Sequence, residues 1–159
     1  MEAALQNYNT ALQLDPKLDI AFYNRALTQA ALENLEASLT DLKKAINLNP
    51  ELNEAFLQLG LVHFSLGQYQ LALINFSRLI QKDSSQTAAF YNRGKCLLAL
   101  DEAKLSIADF DEAIRLDTNN ISYICSKAEV LVALQSWEAA VLCYVQVLDI
   151  NLNSSEAYK

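Results

Sequence analysis

The chain has 159 residues, 52% hydrophobic and 19% charged, with only 3 Gly and 2 Pro, a composition that excludes intrinsic disorder and Gly-rich all-β designs. Its 12 Lys and Arg stand against 19 Asp and Glu, a net charge of −7, and a surface of that sign is unsuited to the phosphate backbone of nucleic acid. No apolar run approaches the roughly 18 to 20 residues that cross a bilayer, and Met1-Glu2-Ala3-Ala4-Leu5-Gln6 lacks the basic start and apolar core of a signal peptide. Neither nucleic acid nor a membrane is therefore expected as a partner. Cys96, Cys125 and Cys143 are odd in number, and their spacings of 29 and 18 fit neither a zinc pattern nor a disulfide framework. A reducing, cytoplasmic setting is the expectation.

Residues 3–13 read as a helix, which ends at Asp15-Pro16. The same punctuation returns at one constant step, at Asn49-Pro50, Asp83-Ser84, Asp117-Thr118 and Asn151-Leu152. Asx residues at a helix boundary satisfy free backbone N–H groups of the next helix, and Pro fixes a φ suited to a first turn. Between these turns, Phe22, Phe56, Phe90 and Ile124 open a first helix and are followed four residues on by Ala26, Gly60, Gly94 and Ala128. Leu32, Leu66, Leu100 and Leu134 close it. A second helix then carries small residues at Ser38, Ala72, Ser106 and Ala140 and bulky ones at Leu42, Phe76, Phe110 and Tyr144. Ala or Gly beside a large side chain lets two helix backbones approach closely. Each unit is thus a helical hairpin with a short turn around Leu66-Gly67-Gln68 and its equivalents, where Gly67 suits a left-handed C-cap.

The spacing Phe56-x-x-Leu59-Gly60-x-x-His63, followed by Ala72-x-x-x-Phe76, resembles the tetratricopeptide repeat (TPR) family over nearly the whole chain. The resemblance implies an all-α fold, a right-handed TPR solenoid of antiparallel helical hairpins filling 1–159. Its expected divisions are a partial repeat at 1–18, full repeats at 19–52, 53–86, 87–120 and 121–154, and the start of a truncated repeat at 155–159, where Tyr158 repeats the Phe22 column. Leu35 and Ala103 depart from the family's usual aromatic, which Tyr69 and Trp137 keep. An array that starts and stops in mid-repeat without a polar capping helix reads as a piece of a longer protein.

Little in the sequence could carry chemistry. There is no phosphate-cradling Gly-rich loop, and the single histidine, His63, has no partners for a metal or a general base. Asp109 and Asp111-Glu112 lie among Lys43-Lys44 and Arg115 columns and read as a solvated outer face. No enzyme activity, metal or cofactor is expected. Cys125 falls on a groove-facing column by the family pattern, which admits a reactive thiol or an ordinary small apolar residue.

The resemblance further implies a concave groove lined by the first helices and a protein or peptide as partner. The groove columns hold Tyr23, Asn24 and Leu27, then Leu57, Gln58 and Leu61, then Tyr91, Asn92 and Lys95. With Glu54, Lys95 and Glu129 as the charged members of four such columns, the groove is apolar and amide-lined. It lacks the Lys and Arg set with which related domains clamp the acidic tails of heat-shock chaperones. The row Asn24, Gln58, Asn92 offers carboxamides that can pair bidentately with an extended peptide's backbone; local contacts within Asn24-Arg25 and Asn92-Arg93 are the competing reading. Ala21-Phe22-Tyr23-Asn24-Arg25 recurs two hairpins on as Ala89-Phe90-Tyr91-Asn92-Arg93, so alternate hairpins are more alike than neighbours. Two other roles stay open: an architectural segment acting through its end faces, and the regulatory TPR part of a larger enzyme.

The last second helix, expected over 137–149, is the apolar outlier. Fourteen residues counted from Leu35, Tyr69, Ala103 and Trp137 contain 7, 8, 8 and 11 hydrophobic ones. Cys143 replaces Asp41, Asn75 and Asp109, and Val145 replaces Lys43, Ser77 and Asp111, columns that read as polar and outward. Val141, Cys143, Val145 and Leu148 are therefore expected to form an end-face contact, with a homo-oligomer through this C-terminal helix as one outcome.

Overall fold

In the computed structural model the backbone is described for residues 1–156 and the side chains for residues 1–152. Nine α-helices and no strand occur among the described residues: α1 (Glu2–Leu14), α2 (Asp19–Ala31), α3 (Leu35–Leu48), α4 (Asn53–Ser65), α5 (Tyr69–Lys82), α6 (Thr87–Ala99), α7 (Ala103–Leu116), α8 (Ile121–Ala133) and α9 (Trp137–Glu156). They form two compact units, Met1–Lys82 with α1 to α5 and a second from Asp83 onward with α6 to α9. In each, a first helix packs on the second helix of its own hairpin.

The turns inside the hairpins share one backbone device. Glu33, Gly67, Asp101 and Gln135, at equivalent places in successive hairpins, all have positive φ, between 57° and 71°. At each, two amides fold back on the helix they leave: Gly67 N–H donates to the Phe64 carbonyl and Gln68 N–H to that of His63, with the same pair at Glu33 and Asn34, Asp101 and Glu102, and Gln135 and Ser136. This Schellman arrangement satisfies carbonyls that a helix end leaves open. Only Gly67 reaches the left-handed region without a Cβ penalty. Gln135→Gly should therefore raise stability by about 0.5–1 kcal/mol after the added freedom of the unfolded chain is subtracted. The urea midpoint is the readout, and a lowered midpoint would show that no strain resides there.

The connections between hairpins rest on Asx side chains. Asp15 Oδ1 accepts the Lys17 amide at 2.9 Å, Asn49 Oδ1 the Glu51 amide at 3.1 Å, and Asp83 Oδ1 the Ser85 amide at 2.9 Å. These local bonds turn the chain even at Asp83-Ser84, where no Pro follows. At Asn151-Leu152 the expected turn is not made. The helix runs on through 151–156. The last second helix is thus α9 to Glu156, not 137–149, and Tyr158 lies outside the described residues.

Packing follows the small-against-large pattern. Phe76 and Phe110 are fully buried, each contributing about 1.5–3 kcal/mol through the apolar surface it removes from water. Their rings fill the space where Gly60 and Gly94 have no side chain: a Cβ at Gly60 would stand 2.5 Å from Phe76 Cε1, and one at Gly94 would stand 2.8 Å from Phe110 Cε1. In the first hairpin the corresponding pair is Ala26 and Leu42, both in a core with Leu39, Ala55, Leu59 and Val62. A smaller partner leaves room for one methyl.

Candidate functional site

One acidic column of the second helices, that of Asp41 and Asp109, serves an inward role, whereas Asp111 is exposed. Asp41 and Asp109 are 2% and 5% exposed. Each binds one arginine of its own hairpin with both oxygens: Arg25 Nε and Nη2 donate to Asp41 at 2.6 and 2.7 Å, and Arg93 Nε and Nη2 donate to Asp109 at 2.7 and 2.6 Å. The expectation that Asp41 and Asp109 face outward is corrected by these forks, which tie the first helix of a hairpin to its second. Hydrogen bonding to the buried carboxylate raises the pKa of both guanidinium groups above the ordinary value, against the opposing effect of burial. Arg25 Nη1 also donates to Asn9 Oδ1 of α1 at 2.6 Å. Helix α8 has a different cation, Lys127, which pairs with Asp111 of the preceding α7 at 2.6 Å.

Cys143 occupies the Asp41 column and is also buried. It packs with Ile124, Ala128, Leu131 and Ala140 between α8 and α9, so it is not part of an exposed end face. Val141, Val145 and Leu148 are exposed. Burial raises the pKa of the Cys143 thiol and pushes that of Cys96 up to about 11, which keeps both protonated and unreactive near neutrality. Cys125 is half-buried. His63 is buried, its Nδ1 2.6 Å from Gln68 Oε1 across the αL turn. No group of three or more His, Cys, Asp and Glu that could hold a metal occurs among the described residues. None of their helices is long and apolar enough to cross a membrane.

The candidate groove residues occupy the first helices of both units. In the first unit, Tyr23, Asn24 and Leu27 on α2 and Leu57, Gln58 and Leu61 on α4 are all half-buried. Among the described residues no hydrogen bond engages the Asn24 or Gln58 carboxamide. Burial, and then the charge of Glu54, raise the pKa of Tyr23, so its hydroxyl stays protonated and available as a donor. In the second unit, Tyr91 stacks on Tyr123 with ring centres 4.6 Å apart, and its hydroxyl lies 3.2 Å from Ser126 Oγ. Lys95 Nζ lies 5.5 Å from the Tyr91 ring centre. Asn92 Nδ2 donates to the Ala88 carbonyl of its own helix at 2.8 Å. The three carboxamides are therefore not equivalent, Asn92 being engaged locally.

Two open clefts beside the phenylalanine column escaped the sequence reading. One of about 380 Å³ is lined by Asn9, Leu12, Phe22, Arg25 and Lys44, and another of about 400 Å³ by Lys43, Ile46, Phe56, Asn75 and Arg78. Cations cover the rings that floor them, Lys44 at 5.3 Å from Phe22 and Arg78 at 4.4 Å from Phe56, which is cation–π range. Lys44 and Arg78 share one repeat column, and that column carried the signal in the sequence.

Antiparallel hairpins with one αL turn each, registered at one constant step, define a helical-repeat solenoid. Models of the TPR repeat match residues 1–33 and 30–67, and a tetratricopeptide repeat model matches 57–121. The chain belongs to the tetratricopeptide repeat family and is an all-α TPR solenoid. Among solved structures, MamA 41-end from Desulfovibrio magneticus RS-1 is 20% identical with a TM-score of 0.90, over 96% of this chain and 86% of that one. YrrB, described as a TPR protein with an unusual peptide-binding site, is 23% identical with a TM-score of 0.80, over 94% and 77%. The first TPR of Spaghetti (RPAP3) bound to the HSP90 peptide SRMEEVD is 15% identical with a TM-score of 0.71, over 74% and 93%. At these identities the likeness is one of fold. No curated protein matches the chain.

Proposed function

We propose that the chain is a non-enzymatic protein–protein interaction scaffold that holds an extended, uncharged peptide segment of its partner against the first-helix face. Family membership supports the general role, and two of the structural neighbours are described with peptide sites or a bound peptide. The observation that carries the finer reading is the pair of unengaged carboxamides, Asn24 and Gln58, on the adjacent first helices α2 and α4, flanked by Tyr23, Leu27, Leu57 and Leu61. A carboxamide donates and accepts at once and matches a peptide unit, while the flanking side chains take the segment's apolar residues. Arg25 and Arg93, which would otherwise attract an acidic tail, are bound to Asp41 and Asp109.

The test is selection from a displayed library of short random peptides, followed by calorimetry on the best binder. Binding should change little between low and high salt, since few charges are involved. Replacing Asn24 and Gln58 together by Ala should weaken it by about 1–2 kcal/mol through unpaired peptide groups, whereas Asn92→Ala, whose amide bonds locally, should cost less. Selected peptides that are uniformly acidic and lose binding in salt would contradict the reading.

A further inference from the structure

Helix α9 has two apolar sides. At 100° per residue, Ala140, Cys143, Val147 and Ile150 share one side and pack in the core against Ile124, Ala128 and Leu131. Trp137, Val141, Tyr144, Val145, Leu148 and Leu152 fall within about 100° on another and are 56%, 58%, 42%, 46%, 60% and 62% exposed. In α3 the same sector, Leu35, Leu39, Leu42 and Ile46, packs against Ala55, Leu59 and Val62 of the following first helix. Along α9 the turn that would bring such a helix back is replaced by continued helix through 151–156. Continuation adds Leu152 to the stripe and gives Val141, Val145, Leu148 and Leu152 the four-three-four spacing of a coiled-coil seam.

We propose that α9 pairs antiparallel with α9 of a second copy of this chain about a two-fold axis. With the axis between Val145 and Leu148, every layer joins a β-branched to a γ-branched side chain: Val141 meets the partner's Leu152, and Val145 meets the partner's Leu148. A parallel pair would set Val on Val and Leu on Leu. It would also bring Glu138, one heptad before Val145, against its own copy. The side chains described on α9 include Glu138 and Asp149 but no Lys or Arg, so no ion pair favours either arrangement and the Val–Leu layers set the antiparallel one. Six side chains so exposed offer roughly 600 Å² per copy, about 1,200 Å² for the pair, the lower end of a specific interface.

Sedimentation across a concentration series of the 159-residue chain should show a reversible shift from 17.7 kDa toward twice that mass. Val145→Glu with Leu148→Glu, both at exposed positions, should keep the circular dichroism of the wild type and remain monomeric. A wild type that stays monomeric throughout, or a folded double variant that dimerises as well, overturns the proposal. Spin labels at Glu138→Cys, in a Cys125→Ser background, should lie about 25 Å apart across the dimer by helix rise; a separation of about 10 Å, two facing helices' width, overturns the antiparallel pairing.

Discussion

Asp41→Ala should lower the stability of the first unit by about 2–4 kcal/mol, because it leaves the Arg25 guanidinium, itself largely buried, without its bidentate partner. The upper end of that range is reduced by the residual solvent contact of Arg25, which screens the orphaned charge. The second hairpin supplies the compensating change, since it carries Leu59 and Asn75 at the two positions. Arg25→Leu with Asp41→Asn should thus return to within about 1 kcal/mol of the wild type, as an ion pair replaced as a unit commonly does. Denaturant midpoints of the single and double variants settle the matter. A double variant no more stable than Asp41→Ala would mean that the two residues act independently.

Gly60→Val should cost about 3 kcal/mol, because its Cβ would enter the Phe76 ring at 2.5 Å and that ring is fully buried. The first hairpin again shows the tolerated alternative. Gly60→Ala combined with Phe76→Leu reproduces the Ala26 and Leu42 pair and should lose only about 1 kcal/mol, the shrunken ring space being offset by the better helix propensity of Ala. Thermal midpoints provide the measurement; a Gly60→Val protein as stable as the wild type would show that Phe76 can move aside.

The helical hairpins and their constant register were legible in the sequence because each is written locally, in Asx turns, small-to-large columns and a residue at the αL position. Glu33, Asp101 and Gln135 occupy that position with no Gly to announce it, but the register with Gly67 placed them. The Arg25–Asp41 and Arg93–Asp109 forks were present only as a second-order signal, the likeness of alternate hairpins. Their separation along the chain has no local period, and an isolated Asp on a second helix reads as solvated until its partner is placed beside it. The burial of Cys143 was hidden for the same reason: Asp41 and Asp109 in its column survive burial through an arginine, so the column read as outward. The continuation of α9 through 151–156 was hidden because Asn151 repeats the turn residue while the bonds that make the turn depend on the residues after it.

The candidate groove was legible as columns, yet the state of each carboxamide was not, since Asn24 and Asn92 sit in identical five-residue contexts and only Asn92 bonds to its own helix turn. That difference motivates the most direct test of the proposed function. Amide chemical-shift mapping, with a library-selected peptide titrated into the isotope-labelled chain, should place the largest changes on α2 and α4 around Tyr23, Asn24, Leu57 and Gln58 and leave α3 and α5 nearly still. Changes concentrated on α3 and α5, around Lys44 and Arg78, would contradict peptide capture by the first-helix face and assign binding to the clefts beside Phe22 and Phe56 instead.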